Sequence, residues 1–160
     1  MAEIRLLIAE DDPTVCTLLA QWLGGEQGMV VVAQALNGVE AVALARQHRP
    51  DVVLMDLRMP ELDGIAATQQ IKQALPDCAV VALTIHRDDE HLFPAIRAGA
   101  LGYVLKSSSP ERIVEAVQAA ARGEGFLDQS LVGKVMEEFA RVGRLREAAK
   151  TVFAELTRRE

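Results

Sequence analysis

Residues 52–64 read VVLMDLRMPELDG. Residues 52–55 are a short unbroken apolar run, and Asp56 ends it. Pro60 and Gly64 punctuate the polar stretch after Asp56. A run of that length without polar alternation suits a strand covered on both faces, as in parallel sheets. On either side the chain repeats the pattern. Residues 4–9, the valine-rich 29–35, 79–83 and 102–105 read as four more strands. Between them, residues 13–23, 38–47, 65–74, 94–98 and 110–122 carry apolar side chains at helical spacing, as in Ile113, Val114, Val117 and Ala120. Asp12-Pro13 and Ser109-Pro110 each put a capping residue before a proline at the first helical position. Gly99 and Gly123 follow helix ends, where a left-handed turn suits glycine. Pro94 fits a helix only in its first turn, which leaves residues 87–92 as a loop.

Strand and helix alternate five times, the pattern of a doubly wound α/β fold with a parallel sheet between two helical layers. A five-stranded sheet of order 2-1-3-4-5, the flavodoxin-like order, is expected. Residues 124–130 read as a linker. A C-terminal helical stretch over residues 131–156 is expected to break at Gly143.

The 160 residues, half of them hydrophobic, allow one domain plus an extension. No apolar run approaches the ~20 residues that span a bilayer, and the N-terminus meets acid too soon for a signal peptide. Cys16 and Cys78 have no paired spacing, which argues against a disulfide framework or a zinc site. The net charge of −6 argues against nucleic-acid binding by this chain. Residues 1–133 carry 10 basic against 18 acidic side chains, and residues 134–160 carry 7 against 5, so globule and tail differ in character.

In an open parallel sheet, ligands bind beyond the carboxyl ends of the strands, near the switch in strand order. The first strand is followed by Glu10, Asp11 and Asp12, the third ends at Asp56, the fourth at Thr84 and the fifth at Lys106. Asp12, before a proline, reads as a helix cap. Carboxylates crowded together need a shared proton or a cation. Hard oxygen ligands suit Mg²⁺, and a carboxylate can attack phosphorus to give an aspartyl phosphate. Mg²⁺ (or Mn²⁺) and Lys106 would stabilise the charge of the transferring group, and Thr84 could donate a hydrogen bond to it. Asp56, held at the end of a central strand, is the best nucleophile.

Glu10-Asp11 after the first strand, DLRMPELDG from Asp56 to Gly64, LTIH from Leu83 to His86 and AGALGYVLK from Ala98 to Lys106 together resemble the receiver domain of two-component response regulators. The resemblance covers about residues 4–122. It implies that a sensor histidine kinase passes a phosphoryl group to Asp56. Asp11 would hold the metal directly, Glu10 directly or through water, and the backbone carbonyl of Arg58 would add a ligand. Lys106 and Thr84 would contact the phosphoryl group. Thr84 and Tyr103 would form the switch pair, the ring turning inward as the hydroxyl moves. Arg58 and His86 flank the site, where they would tune access of water. Such a receiver is a phosphoacceptor with self-catalysed phosphotransfer and autodephosphorylation, not an enzyme acting on outside substrates.

Ser107-Ser108-Ser109-Pro110-Glu111 after the lysine and Gly123-Glu124 after the last helix resemble the NarL/FixJ (LuxR-type) regulators. The resemblance implies three regions: a receiver over 1–123, a helical linker over 124–155, and at 156–160 the start of a helix-turn-helix DNA-binding domain, short of which the chain is expected to stop. DNA would be bound only through that domain, and the protein would be cytoplasmic, without membrane association. This chain departs from many receivers in having Glu rather than Asp at position 10, and Ser107 rather than proline after the lysine; no cis bond is assumed there.

Leu131, Val135, Glu138, Val142, Leu145, Ala149, Val152 and Leu156 alternate in steps of four and three, a heptad seam with one polar exception. A homodimer through a coiled coil is one expectation; two short amphipathic helices are the other. Rival functions fit less well. A haloacid-dehalogenase-type phosphatase wants a second Asp where Arg58 stands, and a flavin-binding protein wants a hydroxyl- and glycine-rich loop where Glu10-Asp11-Asp12-Pro13 would repel phosphate. An interaction module without phosphorylation would not need the full set.

Overall fold

The structure, a computed structural model, describes residues 3–85 and 89–158. Twelve elements succeed one another: β1 (Ile4–Ala9), α1 (Pro13–Gly24), β2 (Met29–Ala35), α2 (Gly38–His48), β3 (Val52–Asp56), α3 (Gly64–Ala74), β4 (Ala79–Thr84), α4 (Asp89–Ala98), β5 (Gly102–Leu105), α5 (Pro110–Ala121), β6 (Phe126–Leu127) and α6 (Gln129–Arg158). The chain divides into two compact units, residues 1–127 and 128–160.

In the first unit all strand pairs are parallel, in the order β2-β1-β3-β4-β5-β6. Successive residues of a strand face opposite sides, so the apolar runs feed two cores. Leu6, Ile8, Leu54, Val81 and Val104 meet Cys16, Ala20 and Leu23 of α1 and Ile113, Val114 and Val117 of α5. Leu7, Ala9, Val53, Met55 and Val80 meet Ala41, Val42 and Ala45 of α2 and Ala67 and Ile71 of α3. Every residue of β3 and β4 is buried, which is why those segments carry no polar alternation. Burying each large aliphatic side chain contributes roughly 1.5–3 kcal/mol, and this two-sided burial holds the strand ends where the site is built.

The expected α/β fold and its 2-1-3-4-5 order hold, with one addition. Phe126 and Leu127, read as linker, form a sixth strand whose partners are Gly102 and Tyr103. Phe126 packs on the first core and lies 5.8 Å beneath the Arg112 guanidinium, a cation–π contact. These contacts make a two-residue strand worth forming, and local periodicity cannot reveal them.

The helix starts expected at Pro13 and Pro110 are both found. Asp12 caps α1, accepting from the backbone N–H of Thr14 at 2.9 Å and Val15 at 3.3 Å. Asp63 caps α3 by accepting from Ala66 N–H at 2.8 Å. Ser109 stands at the cap position of α5, but its side chain makes no capping bond; its carbonyl accepts from Arg112 and Ile113 instead. Gly99 and Gly123 have φ of +111° and +78°, the left-handed turns expected of them.

Pro94 does not open α4. The helix begins at Asp89 and Pro94 is its sixth residue. The ring removes one backbone bond, while Leu92 and Ala95, three apart, are 0% and 1% exposed and bury the helix on both sides of the proline. The helix therefore starts earlier than the proline suggests. In the second unit, α6 runs unbroken for 30 residues through Gly143, contrary to the expected interruption. One interior glycine costs about 1 kcal/mol relative to alanine, which a helix of this length absorbs. Among the described residues no helix is long and apolar enough to cross a membrane, and no peptide bond is cis.

Candidate functional site

Sheet register alone builds the site. Ala9 lies opposite Met55, so Glu10 and Asp56 each come one residue later on adjacent strands. Leu83 lies opposite Asp56 and Leu105 opposite Thr84, so Thr84 and Lys106 come at the next steps. The sequence candidates Glu10, Asp11, Asp56, Thr84 and Lys106 thus stand along one edge. Glu10, Asp56 and Thr84 are buried, at 2%, 3% and 3% exposure.

Glu10, Asp11, Asp12, Val15, Asp56, Arg58, Ile85 and Lys106 line a cleft of about 430 Å³. One carboxylate oxygen from each of Glu10, Asp11 and Asp56 lies within 4.8 Å of the others. Lys106 Nζ is 2.6 Å from Glu10 Oε2 and 3.3 Å from Asp56 Oδ2. Asp56 Oδ1 accepts from the backbone N–H of Arg58 at 3.2 Å, while the Arg58 side chain is exposed at the rim. Glu10 Oε2 is buried and accepts no hydrogen bond, so its short contact with Lys106 is an ion pair outside hydrogen-bond angles.

The Asp56 carboxyl is raised from 3.8 to about 7. Burial is the main cause; the neighbouring Glu10 charge and a contact with Asp11 add to it, against the downward pull of Lys106 and the Arg58 N–H. Burial works to lower the Lys106 ammonium, but Glu10 and Asp56 outweigh it and hold the group above its ordinary range. An oxygen-only pocket with three carboxylates, one of them carrying an oxygen that no hydrogen bond satisfies, fits a hard divalent cation.

Gly64 explains the end of the DLRMPELDG stretch. A Cβ there would lie 2.2 Å from the Asp56 carbonyl oxygen and 2.7 Å from Leu57 Cα. Only glycine lets α3 start so close to the strand that presents Asp56. The two cysteines are buried and free, and burial pushes the Cys78 thiol up to about 11, so neither offers a thiolate.

Tyr103 is buried at 2% exposure on β5, opposite Ala82 and Leu127. An inward turn of the ring on switching would not start from an exposed side chain. His86, expected to flank the site, lies outside the described residues. Sequence reasoning missed Ile85, 55% exposed at the cleft mouth, and His91, which lines an adjoining cleft with Asp11, Arg58 and Asp63. Ile85 lies inside the quoted LTIH stretch, but nothing in the sequence marks an exposed isoleucine. His91 falls in the loop that Pro94 suggests, so its place on a helix beside the site is hidden.

A parallel sheet with an acidic pocket at its switch point and a lysine two strands beyond, after β5, defines a class, and comparison with known proteins gives the same one. The response regulator receiver domain family matches residues 6–118, and the chain belongs to that family. Within it the chain is of the NarL/LuxR type. It is 40% identical over 136 residues to an uncharacterized transcriptional regulatory protein, YxjL, of Bacillus subtilis, covering 85% of this chain and 62% of the relative. It is 41% identical over 140 residues to the transcriptional regulatory protein LiaR of the same organism, covering 88% and 66%. The chain thus spans less than two thirds of the length of either relative. A two-component response regulator of the LuxR family from an Aurantimonas species superposes with a TM-score of 0.81 at 32% identity, covering 87% of this chain and 99% of that one.

Proposed function

We propose that Asp56 accepts a phosphoryl group from the phosphohistidine of a sensor histidine kinase, in a reaction dependent on Mg²⁺ or Mn²⁺. The supporting observation is the meeting of three carboxylates and Lys106 in one cleft. Asp11, Asp56, the Arg58 carbonyl and Glu10 would hold the ion, which when bound neutralises the acids and offsets charge on the transferring group. An Asp56 oxygen attacks phosphorus as the P–N bond to the kinase imidazole breaks, giving an acyl phosphate. Lys106 faces the new charge, and Thr84 donates a hydrogen bond to a phosphoryl oxygen. Water later attacks phosphorus as the P–O bond to Asp56 breaks, releasing inorganic phosphate and returning the carboxylate, with Arg58 and His86 governing access.

Thr84 and Tyr103 are the switch pair in this reading. The receiver, read from the sequence as residues 1–123, extends to Leu127 with β6; residues 128–155 are then the linker and 156–160 the start of a DNA-binding domain through which the whole protein controls transcription in the cytoplasm. Incubation with Mg²⁺ and acetyl phosphate should add one phosphoryl group to the intact mass, and Asp56→Asn should add none. Equal labelling of the variant, or steady turnover of outside phosphate esters, rejects the reading.

A further inference from the structure

The Lys106 ammonium stands closer to Glu10, at 2.6 Å, than to Asp56, at 3.3 Å. Glu10 is 2% exposed, and its Oε2 accepts no hydrogen bond, which leaves the ion pair with that ammonium as its charge partner. Its Oε1 lies 3.4 Å from the backbone N–H of Asp12, a long contact. A buried carboxylate with one cation beside it is costly to separate from that cation, because the separated charge is left in a poorly solvating place. Glutamate has one methylene more than aspartate, and at the end of β1 that length carries the carboxylate across to the lysine beyond β4.

We propose that Glu10 serves Lys106 first: it clamps the ammonium over the pocket as an internal counter-cation that a divalent ion must displace. This rests on the pocket being the divalent-ion site proposed above, and assigns the ion chiefly to Asp11 and Asp56. Glu10 is then a positioning residue for Lys106, and the pairing lowers divalent-ion affinity without barring binding. General repulsion between Lys106 and the ion would act whatever stands at position 10; the clamp acts only while the Glu10 carboxylate is present.

A double-mutant cycle on Mn²⁺ affinity, read by electron paramagnetic resonance of free Mn²⁺, separates the two. Lys106→Met should tighten Mn²⁺ binding about tenfold in the wild-type background and less than about twofold in Glu10→Gln, a coupling of the size neighbouring charged groups show. Glu10→Gln keeps the side-chain shape and leaves Asp11 and Asp56 to hold Mn²⁺, so a weaker but measurable affinity is expected. Glu10→Asp retains the charge but shortens the reach, and should also reduce the effect of Lys106→Met; it serves if Glu10→Gln fails to fold by circular dichroism. Equal tightening in every background overturns the clamp, as does loss of Mn²⁺ binding in folded Glu10→Gln, which would make Glu10 a metal ligand first. Absence of Mn²⁺ binding in the wild-type chain would overturn the proposed ion site as well; binding with an additive cycle would overturn the clamp alone.

Discussion

Asp56 has to act as a nucleophile from a place where burial works against its charge. Its carboxyl, at about 7, keeps a proton that the unfolded chain, at 3.8, has already released. Between about pH 4 and 7 the folded state therefore binds more protons, so this group's contribution to stability falls as pH rises through that window and is lowest above it. Asp56→Asn removes the penalty. In chelator at about pH 8 the variant should be more stable than the wild type by on the order of 2 kcal/mol, the gap closing toward pH 4. Thermal melts across that range check it; identical melts at pH 8 would contradict the assigned burial. The acids and the lysine are legible in the sequence because each comes after an apolar run that must be a strand. The burial of Tyr103 is not, since it depends on what packs over β5 from distant parts of the chain.

Two glycines make the element scale concrete. Gly64 opens α3 against the Asp56 carbonyl, and Gly143 sits inside α6 with nothing within 4 Å of its would-be Cβ. Gly64→Ala should destabilise the first unit by roughly 1–3 kcal/mol through overpacking and weaken Mn²⁺ binding, because β3 and α3 must part. Gly143→Ala should leave the pocket alone and raise helicity, worth about 1 kcal/mol at most. Circular dichroism melts and Mn²⁺ titration of both variants test the contrast; a neutral Gly64→Ala would contradict the close approach. The same elements show where sequence reading stops. Proline and glycine announce local cost, so Pro94 suggests a helix start and Gly143 a helix break. The gain from burying Leu92 and Ala95 is tertiary and decides α4 the other way.

At the scale of the whole molecule, five strands and five helices of the receiver unit are readable because each carries its own period, whereas β6 and the start of α4 rest on tertiary contacts and are not. The tail is less so. Among its described apolar side chains, Val132, Met136 and Phe139 at 42%, 65% and 69% lie one position on from the seam expected through Leu131, Val135 and Glu138, while Val152 at 57% lies in that seam. Glu138, the polar exception in that seam, pairs with Arg141 on its own helix. An exposed apolar stripe on a 30-residue helix is a surface on which two copies could pair, in line with the homodimer given as one expectation for the tail. Sedimentation should give a heavier species for the full chain than for residues 1–127; equal monomer masses would reject dimerisation through α6.

The atom that takes the phosphoryl group decides the chemistry of the pocket. After incubation with Mg²⁺ and acetyl phosphate, borohydride reduction of an acyl phosphate converts the modified aspartate to homoserine, which peptide mass mapping locates. Homoserine at position 56 alone, dependent on the divalent ion, is the predicted result. Label at Glu10 or Asp11, or none in the folded chain, would contradict it.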